Sequence, residues 1–215
     1  MDSACDETAK ISREFDGDAC DFCERYKNNG LSRSSELLLK FILDRNAQDK
    51  AVLDLGCGAG GLSIELLKHG AQNAVGFDLS PRMIVAATEL ARATGFDSRA
   101  KFQEGNAATT DLPTSDIVVL DKVLCCYSEW RPLLKNAMEA GRVMIGFTVP
   151  RDEGVTKLPF RLALKMVNYF QKRRGGVLFY LHPLGTIDKT LRESGFNLHR
   201  KRGSRFWLVF LYSRV

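Results

Sequence analysis

The stretch Leu53-Asp54-Leu55-Gly56-Cys57-Gly58-Ala59-Gly60-Gly61 constrains this chain more than any other. A short apolar run, Ala51 to Leu55, ends abruptly in glycines, and Leu62, Leu66 and Leu67 then recur at helical spacing. A buried strand that turns tightly through glycine into a helix is the opening of an α/β nucleotide-type loop. Glycine permits the turn and lets backbone approach a ligand closely.

The rest of the chain repeats that alternation. Val75 to Phe77 reads as a second strand. Ser80 followed by Pro81 reads as an N-cap with proline at the first helical position, before a helix burying Ile84, Ala87 and Ala91. Lys101 to Glu104 and the strongly apolar Ile117 to Leu120 read as a third and a fourth strand. Ser128 is placed to cap a helix whose apolar face is Leu133, Leu134, Ala137 and Met138, stopped at Gly141, and Val143 to Val149 is a fifth strand. Ser34 and Ser35 precede another helical face, Leu37, Leu38, Phe41 and Ile42. Thr186 to Ser194 is a helix closed by Gly195. Phe196 to Arg202 and Arg205 to Tyr212 flank Gly203-Ser204 as a hairpin. The expected fold is therefore α/β: a Rossmann-like, doubly wound sheet of about seven strands, mostly parallel, with a C-terminal antiparallel hairpin and helices on both faces. Residues 1–33 are expected to cap a main domain of residues 34–215. Residues 151–183 are expected to form an insert that covers substrate.

A glycine loop alone also fits dinucleotide binding. Asp54, two residues before the first glycine, separates the readings: a carboxylate there repels a pyrophosphate and favours a cationic, phosphate-free nucleoside. Asp78 closes the next strand 22 residues after Gly56, where a carboxylate accepts both hydroxyls of a ribose. The competing reading makes Asp54 an ordinary turn residue.

Val52 to Gly60 resembles the first motif of class I S-adenosylmethionine-dependent methyltransferases, and Gly76-Phe77-Asp78-Leu79-Ser80-Pro81-Arg82-Met83 resembles their second. Glu104-Gly105-Asn106-Ala107 falls where the family has Gly-Asp-Ala, with Asn106 in place of the acid that contacts the adenine amine; an amide oxygen still accepts from an amine. Ile117 to Asp121 resembles the fourth strand, which ends beside the transferable methyl. The likeness covers residues 34–150. The resemblance implies S-adenosyl-L-methionine as cofactor, held by Asp54, Gly56, Cys57, Gly58, Gly60, Asp78, Leu79, Met83, Asn106, Ala107 and Asp121. Tyr180-Leu181-His182-Pro183, the Gly195-Phe196 turn and Ser204-Arg205-Phe206 are similar, more weakly, to the C-terminal part of magnesium-protoporphyrin O-methyltransferases.

In methyl transfer the cofactor supplies the reactivity; the protein aligns the nucleophile and removes a proton if it carries one. The acceptor belongs beyond the carboxyl ends of the strands, near Asp121, Lys122 and Tyr127. His182 is the first candidate base, against a loop histidine satisfied by backbone. Tyr127 is a second candidate, against plain pocket wall. Cys125 and Cys126 read as packing. Leu158 to Arg174 is an amphipathic helix open to three readings: a lid over an apolar substrate, a membrane-surface helix, or a packed helix with solvated arginines. Tyr26 and Arg33 are placed to close the cofactor pocket from the N-terminal side.

Asp121-Lys122-Val123-Leu124 is not the Asn/Asp-Pro-Pro-Tyr/Phe motif of amine-binding nucleic-acid and protein methyltransferases, and no RNA-binding module is appended. A small-molecule acceptor is expected and a nucleic-acid partner is not. Cys20 and Cys23 form a CxxC pair without a second half at zinc spacing, so no metal is expected. The net charge of +5 permits an acidic partner, but solvated surface explains it equally. No stretch approaches the ~20 apolar residues of a membrane span, and the first ten residues are unlike a secretory signal; a cytoplasmic protein is expected.

Overall fold

The computed structural model describes residues 2–153, 157–204 and 206–214. Residues 154–156 of the expected insert and Arg205 of the hairpin lie outside the described residues.

Seven strands form one sheet: β1 (Ala51–Leu55), β2 (Asn73–Asp78), β3 (Ala100–Glu104), β4 (Ser115–Leu120), β5 (Gly141–Pro150), β6 (Phe196–Gly203) and β7 (Trp207–Arg214), in the spatial order β3-β2-β1-β4-β5-β7-β6. Strands β1 to β5 pair in parallel, and β7 is antiparallel to both β5 and β6. The chain steps outward one way from β1 and the other way from β4. The topological switch, where such sheets open a crevice, therefore lies at the carboxyl ends of β1 and β4.

Among the described residues, seven α-helices complete the fold: α1 (Asp2–Asn29), α2 (Arg33–Leu43), α3 (Gly61–Lys68), α4 (Pro81–Ala93), α5 (Trp130–Ala140), α6 (Lys157–Arg174) and α7 (Leu184–Glu193). The strand pleat divides the core between two faces. Leu53, Leu55, Val118, Leu120, Ile145 and Phe147 pack with Leu133, Leu134 and Ala137 of α5 and Ile187 and Leu191 of α7. Val52, Ile117, Val119 and Met144 pack on the opposite side with Leu38, Phe41 and Ile42 of α2, Leu62, Ile64 and Leu66 of α3, and Leu90 of α4.

The N-terminal region, expected to cap the main domain, is a single helix of 28 residues, Asp2–Asn29. Its inner edge (Ile11, Phe15, Ala19) packs on both the core and the glycine loop. Helix α2 is capped by Ser32, not by Ser34 or Ser35; those two are buried within its first turn. Ser128 does not cap α5, whose N-cap is Glu129. The Ser128 N–H and hydroxyl both donate to Glu7 of α1 instead, a partner 121 residues away. In α4 the buried residues are Met83, Ala87, Leu90 and Ala91, and Ile84 sits only partly covered. Ser80 does cap α4: its Oγ accepts from the Met83 N–H at 3.0 Å, with Pro81 next.

The Ser80 hydroxyl also donates to Asp16, which takes the Arg82 N–H as well, so one residue joins α1 to the start of α4. Ser80→Ala is expected to destabilise the fold by about 1–2 kcal/mol, the cost of a lost N-cap. Urea titration checks this: the midpoint falls while the slope is unchanged.

Candidate cofactor site at the carboxyl ends of β1, β2 and β4

Strand β1 delivers the chain into the turn Gly56 to Gly60. The Gly56 and Cys57 N–H groups both donate to the Phe77 carbonyl, at 2.7 and 3.0 Å, which locks the turn to the end of β2. Gly56 has φ +72°, and a Cβ there would stand 2.4 Å from Val123 Cγ2. At Gly60, φ +79°, a Cβ would press on Ala87 of α4 and Phe102 of β3 at 3.0 Å. These glycines let the loop nest between β2, α4 and the segment after β4.

Asp54 points from β1 toward α3 and is 1% exposed. Its carboxylate accepts from the Ser63 hydroxyl at 2.6 Å. Burial raises the Asp54 carboxyl to about 7 against that hydrogen bond, and the charges of Asp121 and Asp78 add to the rise. Asp78, at the end of β2, accepts from the Gly58 N–H at 2.8 Å through Oδ2 and from the Ser80 N–H at 2.9 Å through Oδ1. Burial holds it above the usual carboxylate range, opposed by its backbone donors and reinforced by Asp16. Asp121, just after β4, accepts from the Ser35 hydroxyl of α2 and, at 2.7 Å, from the Thr148 hydroxyl of β5. The neighbouring Lys122, at φ +63°, places its ammonium 2.7 Å from Ser32 Oγ, 3.0 Å from Ser35 Oγ and 3.5 Å from Asp121. Three carboxylates therefore gather at the carboxyl ends of β1, β2 and β4, Asp54 and Asp78 raised first by burial and then by neighbouring acids.

The other residues of the expected cofactor set lie on or beside the segments that follow β1, β2 and β3. Leu79 follows Asp78 and is partly exposed. The Gly105 N–H donates to the Asp78 carbonyl at 2.9 Å, bringing the end of β3 beside β2. Asn106 Oδ1 accepts from the Ala108 N–H at 3.0 Å, and the Ala107 carbonyl accepts from Asn136 at 3.0 Å. The Cys57 thiol is buried and pushed well up by burial and by Asp78, so it stays protonated. Met83 is 1% exposed and packs under the loop against Ala59 and Ala19.

On the β4 side a short turn, Leu124–Cys126, leads to Tyr127, which is 7% exposed. Burial and the Asp78 charge drive its phenol well above the usual range, leaving it a donor at neutral pH rather than a base. His182 lies between the rings of Trp130 and Tyr180, at centroid distances of 5.8 and 6.1 Å. Its Nε2 is 2.8 Å from the Leu124 carbonyl; a carbonyl only accepts, so this nitrogen carries the proton. Burial lowers the imidazole below its ordinary value. The Tyr180 N–H donates to the Cys125 carbonyl at 2.8 Å, fastening the whole segment to the turn after β4.

Sequence reasoning missed most of the supporting set. Ser63 beneath Asp54, Ser35 and Thr148 on Asp121, and Asp16 on Ser80 come from elements far apart in the chain and lie in no motif. Tyr26 packs on α3: its ring lies against Gly61 and its hydroxyl donates to Glu65 at 2.7 Å. Arg33 is exposed at the start of α2.

Residues 52–142 match the family model described as a methyltransferase domain. A ribosomal protein L11 methyltransferase from Pasteurella multocida (strain Pm70) is 31% identical over 115 residues, which are 54% of this chain and 39% of that protein. The chain thus spans well under two thirds of the length of the curated relatives it matches. A magnesium protoporphyrin IX methyltransferase from Synechocystis PCC 6803, solved with bound SAH, superposes with a TM-score of 0.75 at 20% identity, over 95% of this chain and 98% of that one. An O-methyltransferase family protein from Burkholderia thailandensis superposes at 0.72 and 18% identity, over 96% of this chain and 61% of that one. The sheet order and these superpositions give the chain the fold shared by these solved methyltransferases.

A buried Asp54 that must ionise costs folding free energy. Its contribution to stability is complete below the ordinary carboxylate pKa and is lost as the pH rises through about 7. Asp54→Asn is expected to flatten this dependence: between pH 5 and pH 8 its thermal midpoint falls less than that of the parent. Equal pH dependence in differential scanning calorimetry would refute the assignment.

Proposed function

We propose that this chain, a class I methyltransferase in fold and domain, binds S-adenosyl-L-methionine and transfers its methyl group to a small, partly apolar molecule. The observation that carries this reading is the buried Asp54 beneath the glycine turn, with Asp78 at the end of the next strand. A pyrophosphate brought to this loop would meet carboxylates. An ammonium and a sulfonium bring the charges that Asp54 and Asp121 lack, and a ribose offers hydroxyls to Asp78. The nearby glycine N–H groups then bound a turn that a nucleoside approaches edge-on.

The cofactor supplies a carbon already activated for in-line displacement. The chain's own residues enclose that carbon and align the acceptor at the ends of β4 and β5. Tyr127 and the Leu124–Cys126 turn form the wall, with the phenol available as a donor. His182 is the base we assign for a hydroxyl, phenol or amine acceptor. Its Nε2–H is fixed by Leu124, which leaves Nδ1 as the proton-accepting nitrogen. The lowered imidazole is neutral near pH 7, so it stands ready to accept rather than already charged. A carboxylate acceptor would need no base.

The alternative is a protein or RNA acceptor. The L11 methyltransferase relatives support it only through 110–115 aligned residues, roughly half of this chain. Turnover on ribosomal protein or RNA, with none on small acceptors, would decide for it.

Isothermal titration is expected to show that S-adenosylmethionine and its demethylated product both bind and that NADH does not. Asp78→Ala is expected to weaken both ligands at least about tenfold, since a carboxylate hydrogen bond is worth roughly 1.5–3 kcal/mol. Tight NADH binding without S-adenosylmethionine binding would overturn the reading. With a proton-bearing acceptor, kcat/KM rises with pH through a value below 6.5 and then levels, as a base must be neutral to act. His182→Gln lowers the plateau about 100-fold. Unchanged turnover in that variant would mean transfer by proximity alone.

A further inference from the structure

Helix α6 has a face that the fold does not use. Its inner side is fixed by polar contacts. Asn168 donates to the Phe179 carbonyl at 2.7 Å and accepts from the Phe179 N–H at 2.9 Å, and Gln171 donates to Glu14 of α1 at 3.1 Å. Phe160 and Leu164 share that side and are partly covered. Turned away from the protein are Leu158, Leu162, Met166, Tyr169 and Phe170, each more than half exposed. Leu162, Met166, Tyr169 and Phe170 line one shallow groove with Lys165. A contiguous apolar surface facing water signals a missing partner.

The charges around it say which partner. Helix α6 carries six basic residues and no acidic one. Arg161 is neutralised by Asp152. Among the described residues, no salt bridge covers Lys165, Lys172, Arg173 or Arg174, and the Arg173 guanidinium lies over the Tyr169 ring at 4.6 Å. Basic side chains bordering a stripe of leucine, methionine and aromatic rings are what an amphipathic helix presents to the headgroup region of a bilayer. A second copy of this chain, docking the same face symmetrically, would bring like charges together. Folding the face inward over the chain's own crevice would require breaking the Asn168 and Gln171 contacts.

We infer that α6 is a membrane-surface helix: its outward apolar face enters, and its lysines and arginines bind, the interface of a bilayer containing anionic lipid. The segment after α6 runs directly to the wall of the crevice, where Tyr180 and His182 contact Cys125 and Leu124. Docking therefore holds the acceptor side of the site near the bilayer, which, on the function proposed above, suits an apolar acceptor.

Flotation of the full chain with vesicles tests this without any need for activity. Binding is expected to phosphatidylcholine vesicles containing about 30% phosphatidylglycerol, to be weak on phosphatidylcholine alone, and to fall at high salt. The pair Leu162→Glu and Met166→Glu is expected to abolish flotation. The pair Lys172→Glu and Arg173→Glu is expected to weaken it at least about tenfold. Cofactor titration and thermal midpoint confirm that both variants stay folded, since every altered side chain faces water. Failure of the parent to float, or flotation equal in parent and variants, overturns the inference. So does sedimentation showing a dimer that the same substitutions dissolve, which would assign the face to a second copy. Flotation without any S-adenosylmethionine binding would instead uphold the membrane contact and defeat the function proposed above.

Discussion

A carboxylate sealed beneath a glycine turn is the constraint from which the rest of the site follows. Asp54 is 1% exposed, and an ionised carboxylate in that position is costly unless something positive stands beside it. The fold supplies a single hydroxyl, Ser63, and further negative charge from Asp78 and Asp121. The site is therefore pushed toward protonation, and the cationic ligand proposed above would relieve it. An apolar residue at the end of β1 would pack better. Retaining the acid places the benefit in the bound state, where charge pairing inside a low-dielectric crevice is strong.

The side chains that hold Asp54, Asp121 and Ser80 in place come from four different elements. Ser63 comes from α3, Ser35 from α2, Thr148 from β5, and Asp16 from α1. Helix α1 is tied along its length to several elements: Glu7 holds Ser128, Glu14 holds Val177 and Gln171, Asp16 holds Ser80 and Arg82, and Tyr26 holds Glu65. Each bond is partly solvated and modest alone. Together they fix the helix across the ends of the strands. This explains how a helix with so little continuous apolar surface keeps a defined position.

These origins also explain what was legible in advance. The β1 turn, the Ser80-Pro81 cap and the seven-strand plan with its closing hairpin could be read because each is dictated by neighbours in sequence: glycines after an apolar run, serine before proline, two runs across Gly203-Ser204. Ser128 looked like a helix cap by the same local rule, but a carboxylate 121 residues away competes for its donors, and Glu129 takes the cap position. Ser34 and Ser35 were expected to precede the α2 face. Here Ser32 caps, and Ser35 turns inward to Asp121. Helix α1 was obscure because its inward positions, Ile11, Phe15, Ala19 and Tyr26, include a methyl group and a phenol among many charges, which blurs any hydrophobic period.

Periodicity has the opposite failing in α6. There the apolar stripe was plain, and ordinary practice would turn it toward the core. Two polar residues decide otherwise. The Asn168 amide, matched on both sides by the Phe179 backbone, and Gln171 on Glu14 satisfy groups that would go unpaired if the helix rotated by half a turn. Leaving several leucine-sized side chains in water costs less than it seems when they have somewhere else to go. Burying a cationic rim with no acid to meet it would cost more. The direction of a helix at a protein surface is thus set by where its polar groups find partners, and its apolar face is left to whatever lies outside.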